Sequence, residues 1–375
     1  MKILLTGGGT GGHFYPLMAV VDALNAIAEQ EKIVKMDLVF MSVSAYDKNL
    51  LFQKGVHFKK IYAGKIRRYF SFLNILDFFK TISGALKAIW SIYLDFPDAI
   101  FSKGGYASFP AVFAARLFGI PLIIHESDAV PGKVNAWSGK FAKRIAVSFS
   151  AAAKYFPPGK IALTGNPVRK EFLISTKAGA KEFLDLEEGL PTILVMGGSQ
   201  GAKKINDIFL DVVFELVKNY QIIHQCGTNN IKEIESRASV LLEKSSYKSR
   251  YHIFPYLDLS NLRMSYGTAD LVISRAGSGS IFEIAVSGLP SIIIPLANSA
   301  QNHQKENAYA YAAVGATDVI EEQNLSPHLL QSEIEKLMAD ENKRKEMSEA
   351  AKKFAKPDAA EKIAREIINL VLEHA

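Results

Sequence analysis

The chain opens the same way twice. Lys2-Ile3-Leu4-Leu5-Thr6 runs into Gly7-Gly8-Gly9-Thr10-Gly11-Gly12-His13, and Thr192-Ile193-Leu194-Val195-Met196 runs into Gly197-Gly198-Ser199-Gln200-Gly201-Ala202. Each stretch reads as a buried-type strand, a glycine turn and an amphipathic helix, the opening unit of a Rossmann-like domain. One such opening in each half of a 375-residue chain predicts an α/β protein of two Rossmann-like domains facing each other across a cleft. The predicted bounds are 1–165 for the first domain and 166–357 for the second. Residues 358–375 form a terminal helix packing back across the boundary, with Ile363, Ile367, Leu370 and Val371 on one face.

The rest of the chain agrees with a doubly wound pattern. Strands are expected at Lys2–Thr6, Asp37–Met41, Ala99–Ser102, Pro121–His125 and Arg144–Val147. In the second half they are expected at Thr192–Met196, Gln221–Gln225, His252–Phe254, Leu271–Ser274 and Ser291–Ile294. A hydrophobic share of 49% excludes a disordered chain. The single cysteine, Cys226, excludes a disulfide framework and fits a reducing compartment. No apolar run is long enough to span a bilayer, so a soluble cytoplasmic protein is expected. Charge is divided unevenly: residues 1–167 carry 20 Lys/Arg against 10 Asp/Glu, and residues 168–375 carry 24 against 28. A basic first half points to an anionic surface or substrate.

Gly7–Gly12 matches G-x-G-x-x-G, a weak signal by itself. A dinucleotide site also needs an acid at the end of the second strand. Here that strand ends Phe40-Met41-Ser42-Val43-Ser44. The glycines instead allow close approach of a phosphate or sugar to a helix expected to begin near Pro16. In the second turn Ser199 and Gln200 can donate to phosphate oxygens. Ser274–Glu283 reads as strand, polar turn and helix, with Glu283 expected in the first helical turn, either on ribose hydroxyls or as a capping carboxylate. The amides of Asn302–Asn307 can read sugar hydroxyls or cap the helix beyond them. No Asp-x-Asp pair occurs, so amides and Arg169, rather than a bridging metal, are expected to neutralise a diphosphate. His13 comes directly after the glycines and is the first candidate general base; Glu126 is the second acid/base group.

Taken together, Gly7–Pro16, Lys103-Gly104-Gly105-Tyr106, His125–Gly132, Gly165–Arg169, Gly197–Ala202, Ser274–Glu283 and His303–Asn307 resemble the MurG family of N-acetylglucosaminyltransferases, in family order over nearly the whole chain. The resemblance implies the glycosyltransferase B fold and no essential bound cofactor or metal. It implies inverting transfer of GlcNAc from UDP-GlcNAc to the muramoyl 4-hydroxyl of undecaprenyl-pyrophosphoryl-muramoylpentapeptide, lipid I, giving lipid II for peptidoglycan. It places the enzyme peripherally on the cytoplasmic face of the plasma membrane, with an anionic membrane surface as partner and no nucleic acid. Carried over by motif, Thr10, Gly11 and Gly12 line the donor-sugar side, and Arg169 and Ser199 face UDP. Leu257 offers a backbone contact to uracil. Ser278, Gly279, Ser280, Ile281, Phe282 and Glu283 hold diphosphate and ribose, and the His303-Gln304 pair opens the last motif with Gln304 on the transferred sugar. Asp128 is carried over as a substrate-binding position, although it departs from the family pattern, where many members have Asn, and an acid cannot donate to the donor sugar as an amide does.

A glycolipid synthase of the same architecture acting on diacylglycerol is the close rival. A nucleotide-dependent oxidoreductase and a non-catalytic membrane-docking subunit are the readings from other classes. Lys65 to Lys80, crowded with aromatics and flanked by Lys65, Arg67, Arg68 and Lys80, is expected to be a membrane-facing segment, the competing reading being a core helix burying Phe72, Ile75, Leu76 and Phe79.

Overall fold

The computed structural model describes residues 1–33, 35–64, 73–174, 177–198 and 201–374, with backbone only over 73–75. The chain divides into two compact units. One comprises Met1–Arg169 with Lys356–Ala375, and the other comprises Lys170–Ala355.

Among the described residues the first unit holds strands β1 (Lys2–Thr6), β2 (Asp37–Ser42), β3 (Val56–Lys60), β4 (Ala99–Ser102), β5 (Leu122–Glu126), β6 (Arg144–Val147) and β7 (Ile161–Leu163). They pair in parallel in the order β3-β2-β1-β4-β5-β6-β7. The second unit holds β8 (Thr192–Met196), β9 (Gln221–Gln225), β10 (Tyr251–Phe254), β11 (Leu271–Ser274), β12 (Ser291–Ile293) and β13 (Thr317–Val319). Their order is β10-β9-β8-β11-β12-β13, again all parallel. A parallel sheet covered on both faces needs apolar side chains on both, which is why the central strands read as unbroken hydrophobic runs. Ile193, Leu194 and Val195 of β8 are fully buried. In each sheet the strand order reverses at its first strand, β1 beside β4 and β8 beside β11, and ligands of such folds bind in the crevice beyond the carboxyl ends at that point.

The first helix begins at Gly11, not near Pro16, and runs to Gln30 with Pro16 inside it; His13 therefore lies in its first turn. The helix Ala359–His374 packs Ile363, Ile367, Ile368 and Val371 into the same core as Phe14, Leu17, Val21 and Leu24 of that helix. Arg144 at the start of β6 anchors it further, pairing with Glu366 at 2.5 Å and Glu373 at 3.1 Å.

Helix Leu73–Asp95 carries apolar side chains on its outward face as well as its inward one. Gly84, Ala88 and Ile92 face inward, and a Cβ on Gly84 would stand 1.6 Å from the Tyr62 carbonyl oxygen. Its outward side carries Leu76, Phe79, Leu86 and Trp90, exposed by 56, 61, 63 and 65%. Leu76 and Phe79 therefore do not form the inward stripe of the core-helix reading, while Lys65, Arg67, Arg68 and Phe72 lie outside the described residues, as does the side chain of Ile75.

Candidate active site

In the first unit the loops after β1 and β4 meet at the reversal point. Gly105 adopts φ +80°, and a Cβ there would stand 3.1 Å from the Gly8 Cα and 3.4 Å from the His13 Nε2. Only glycines allow the two backbones to touch so closely. His13 lies over this contact, with its Nδ1 3.1 Å from the Thr10 hydroxyl, which orients the ring and leaves Nε2 on the other side. Thr10, Gly11 and Gly12 form the start of its helix, Thr10 being the N-cap. Arg169, the last residue of this unit, stacks its guanidinium 4.4 Å from the Tyr15 ring centre, a cation–π contact that fixes its direction.

Beneath this surface lies a polar network that sequence reasoning missed. Lys103, at the end of β4, is fully buried. Its ammonium donates to His125 Nδ1 at 2.5 Å, Ser127 Oγ at 2.6 Å and Asn166 Oδ1 at 2.6 Å, satisfying all three of its donors. His125 must then be the tautomer protonated on Nε2, which donates to the Gly165 carbonyl at 2.9 Å. Burial brings the Lys103 pKa down to about 7, against the pull of Glu126 and Asp128, and holds His125 well below the usual imidazole range. The signal in the sequence was a lysine at a strand's carboxyl end directly before two glycines.

Glu126, the second acid/base candidate, is also buried. Its Oε1 accepts from the Asp128 amide at 3.0 Å, and its Oε2 accepts from the Gly132 amide at 3.1 Å and from Asn135 Nδ2 at 2.9 Å. Burial first, then the neighbouring Asp128, pushes its pKa up to about 7 against those hydrogen bonds. The carboxylate thus organises the loop that carries Asp128.

In the second unit the candidates gather at the carboxyl ends of neighbouring strands. Gly197 and Gly198 come directly after β8, and Gln225 Nε2 donates to the Gly198 carbonyl at 3.0 Å. Ser199 and Gln200 lie outside the described residues. After β11, helix Ser278–Ser287 begins with Gly277 as N-cap, so Ser278, Gly279 and Ser280 occupy the turn whose amides lack intrahelical acceptors and attract anions. Two expectations change here. Glu283 is in the second turn, not the first, too far along to cap the helix; its Oε2 accepts from the Tyr266 hydroxyl at 3.4 Å. Ile281 and Phe282 are core residues, Phe282 packing 5.1 Å from the Phe354 ring centre, which leaves only their backbone to a ligand. Leu257, beyond β10, likewise buries its side chain. His303 starts the helix after β12 and Gln304 is next, its Oε1 accepting from the Leu296 amide at 3.0 Å. Asn307 donates to the Ala276 carbonyl at 3.1 Å, tying that helix to the turn before Ser278.

Comparison with known proteins finds one family domain in each half of the chain. Residues 3–147 match the N-terminal domain of glycosyltransferase family 28, and residues 192–363 match its C-terminal domain. A Pediococcus pentosaceus protein named UDP-N-acetylglucosamine–N-acetylmuramyl-(pentapeptide) pyrophosphoryl-undecaprenol N-acetylglucosamine transferase is 33% identical over 97% of this chain and 98% of its own. A Bacillus cereus protein of the same name, numbered 2, is 36% identical over 98% and 99%. The chain belongs to the MurG family. An Acinetobacter baumannii MurG crystal structure superposes with a TM-score of 0.73 at 26% identity, covering 98% of this chain and 99% of that one. The S. aureus MnaA–UDP complex, at 18% identity and a TM-score of 0.71 over 100% and 98% of the two chains, shares the fold. Family membership sets aside the oxidoreductase and the non-catalytic subunit, and the two sheets are those of a glycosyltransferase B enzyme.

Proposed function

We propose that this chain transfers GlcNAc from UDP-GlcNAc to the muramoyl 4-hydroxyl of lipid I, with inversion, forming lipid II. The observation that carries the reading is the full-length kinship with enzymes named for that reaction. In one in-line displacement the acceptor oxygen bonds to the sugar's C1 as its proton passes to a base. The C1–phosphate oxygen bond breaks, and UDP leaves with the electron pair. His13 is the proposed base, supported by its place in the first turn and its Thr10 contact. Glu126, with three N–H groups on its oxygens, is assigned to holding the loop around Asp128. Arg169, Ser199, Gln200 and the turn Ser278–Ser280 are proposed to hold the diphosphate, Glu283 the ribose, the Leu257 backbone the uracil, and His303 with Gln304 the sugar. Without an Asp-x-Asp pair the reaction is proposed to survive chelation by EDTA.

We further propose peripheral docking on the cytoplasmic leaflet. Among the described residues no helix is long and apolar enough to cross a membrane. The outward row Leu76, Phe79, Leu86 and Trp90 suits insertion to the depth of the head groups. Radiolabelled UDP-GlcNAc transfer tests the reaction, with lipid I and diacylglycerol as rival acceptors and other UDP-sugars as controls. Product on diacylglycerol alone would hand the chain to the glycolipid synthases.

A further inference from the structure

The second unit contains a cavity of about 640 Å³ away from the candidate donor loops. Asp270 and Leu289, which line it, immediately precede β11 and lead into β12. The cavity therefore opens at the amino ends of these parallel strands, whereas the donor loops leave their carboxyl ends. Four residues of β11 alone separate the two, roughly 13 Å at ~3.3 Å per residue. The volume falls within the range of sites for drug-sized ligands.

Its lining has two characters. Leu173, Ile174 and Leu289 supply apolar surface, and Lys177, Lys181, Arg263 and Lys352 outnumber the acids Glu188 and Asp270 in the lining, Lys352 also pairing with Glu349 at 2.8 Å. The Asp270 carboxylate accepts from the Thr192 amide at 2.8 Å. Lys181 is held by the neutral Leu190 carbonyl at 2.9 Å, which fixes its position.

The cavity is also wired to the helix proposed to hold the donor. Tyr266 lines it, and the same residue's hydroxyl donates to Glu283. At the far end of helix Ser278–Ser287, Ser348 donates to the Gly288 carbonyl at 2.6 Å. Lys352 lies so close that a Cβ on Gly288 would stand 2.7 Å from its Cε. Ser348 and Lys352 both line the cavity.

We propose that this cavity binds an anion carried on an aromatic or aliphatic body, and that occupancy is transmitted to the donor site through Tyr266 and helix Ser278–Ser287. Binding stands on the cavity alone; transmission rests on the proposed assignment of that helix to the donor. An anion drawn to Lys177 and Lys352 would press its apolar part against the Tyr266 ring, moving the hydroxyl that orients Glu283. Linkage then requires that UDP alter the anion's affinity by the same factor.

Titration calorimetry with 1-naphthyl phosphate and with dihexanoyl phosphatidate separates a soluble aryl phosphate from a lipid source; 1-naphthol and inorganic phosphate are the controls. One of the two probes is expected to bind one-to-one, with or without saturating UDP. The double variant Lys177→Gln/Lys352→Gln, both exposed positions outside the donor site, should weaken it at least tenfold and leave UDP binding unchanged. The bound probe should shift the UDP Kd at least threefold, and Tyr266→Phe should keep probe binding while losing that shift. The proposal is overturned if neither probe binds, if UDP displaces the probe, if the double variant binds as well as wild type, or if the UDP Kd does not move. Failure of wild type to bind UDP at all would sink the donor reading, while the probe titration would still decide the cavity.

Discussion

A histidine after a glycine turn gains its meaning from the groups that fix it. His13 is oriented by Thr10 over a contact between two glycine loops, so its loss should strike proton transfer rather than nucleotide binding. His13→Ala is expected to lower turnover by roughly 10²–10⁴-fold with UDP affinity nearly unchanged; steady-state rates and UDP calorimetry check this, and near-normal turnover would move the base elsewhere. Glu126 makes a different prediction. Its folded pKa, about 7, lies above its ordinary value of 4.5, so between those pH values the folded chain keeps a proton that the unfolded chain has lost. Stability from this group therefore falls as pH rises through that window. The melting temperature of Glu126→Gln relative to wild type should accordingly rise between pH 4.5 and pH 7, and a flat difference would refute the assignment. The place of His13 beside the glycine turn was legible in the sequence because it follows the glycines directly. The partners of Lys103 were not, since nothing local says that its ammonium will find His125, Ser127 and Asn166, which lie 22, 24 and 63 residues away.

At the scale of elements, the terminal helix offers the clearest test. Ile367 is fully buried against the helix Gly11–Gln30, so Ile367→Ala should cost about 2–5 kcal/mol. Urea unfolding monitored by hydrogen exchange should show protection lost in Gly11–Gln30 and kept in β8 and β11. Equal loss in both units would mean that the two unfold as one. The inward row of this helix was readable because Ile363, Ile367 and Leu370 repeat at helical spacing. Central strands were readable too, since burial on both faces demands unbroken apolar runs. The strands the sequence hid, β3, β7 and β13, lie at the sheet edges. Val56-His57-Phe58-Lys59-Lys60 carries three polar residues, and β7 and β13 have three residues each, too few to show a period. Glu283 was misplaced by one turn for a related reason: the glycine and serines before it fit a loop as well as a helix start, and only the backbone decides.

For the whole molecule, uneven charge and the exposed apolar row of helix Leu73–Asp95 lead to one expectation. Residues 1–167 hold twice as many cations as acids, and the same region carries Leu86 and Trp90 outward while Gly84 and Ala88 pack inward. An apolar row costs solubility unless something covers it. An anionic bilayer satisfies both features, because its acyl boundary accepts the row and its head groups meet the cations. The two contributions can be separated experimentally. Each cation near an anionic surface is worth about 1 kcal/mol, so Lys65→Gln/Arg67→Gln/Arg68→Gln should weaken vesicle binding on the order of 10²-fold and make the remainder less salt-sensitive. Phe79→Ser/Leu86→Ser/Trp90→Ser should weaken it on a similar scale, since burying each large side chain contributes roughly 1.5–3 kcal/mol when complete, and should leave the salt dependence intact. UDP binding in solution should survive in both. Sedimentation with phosphatidylglycerol vesicles across a salt series reads all of this at once. If the apolar variant still sediments fully at low salt, the helix is not the docking face, and a partner protein becomes the better candidate to cover it.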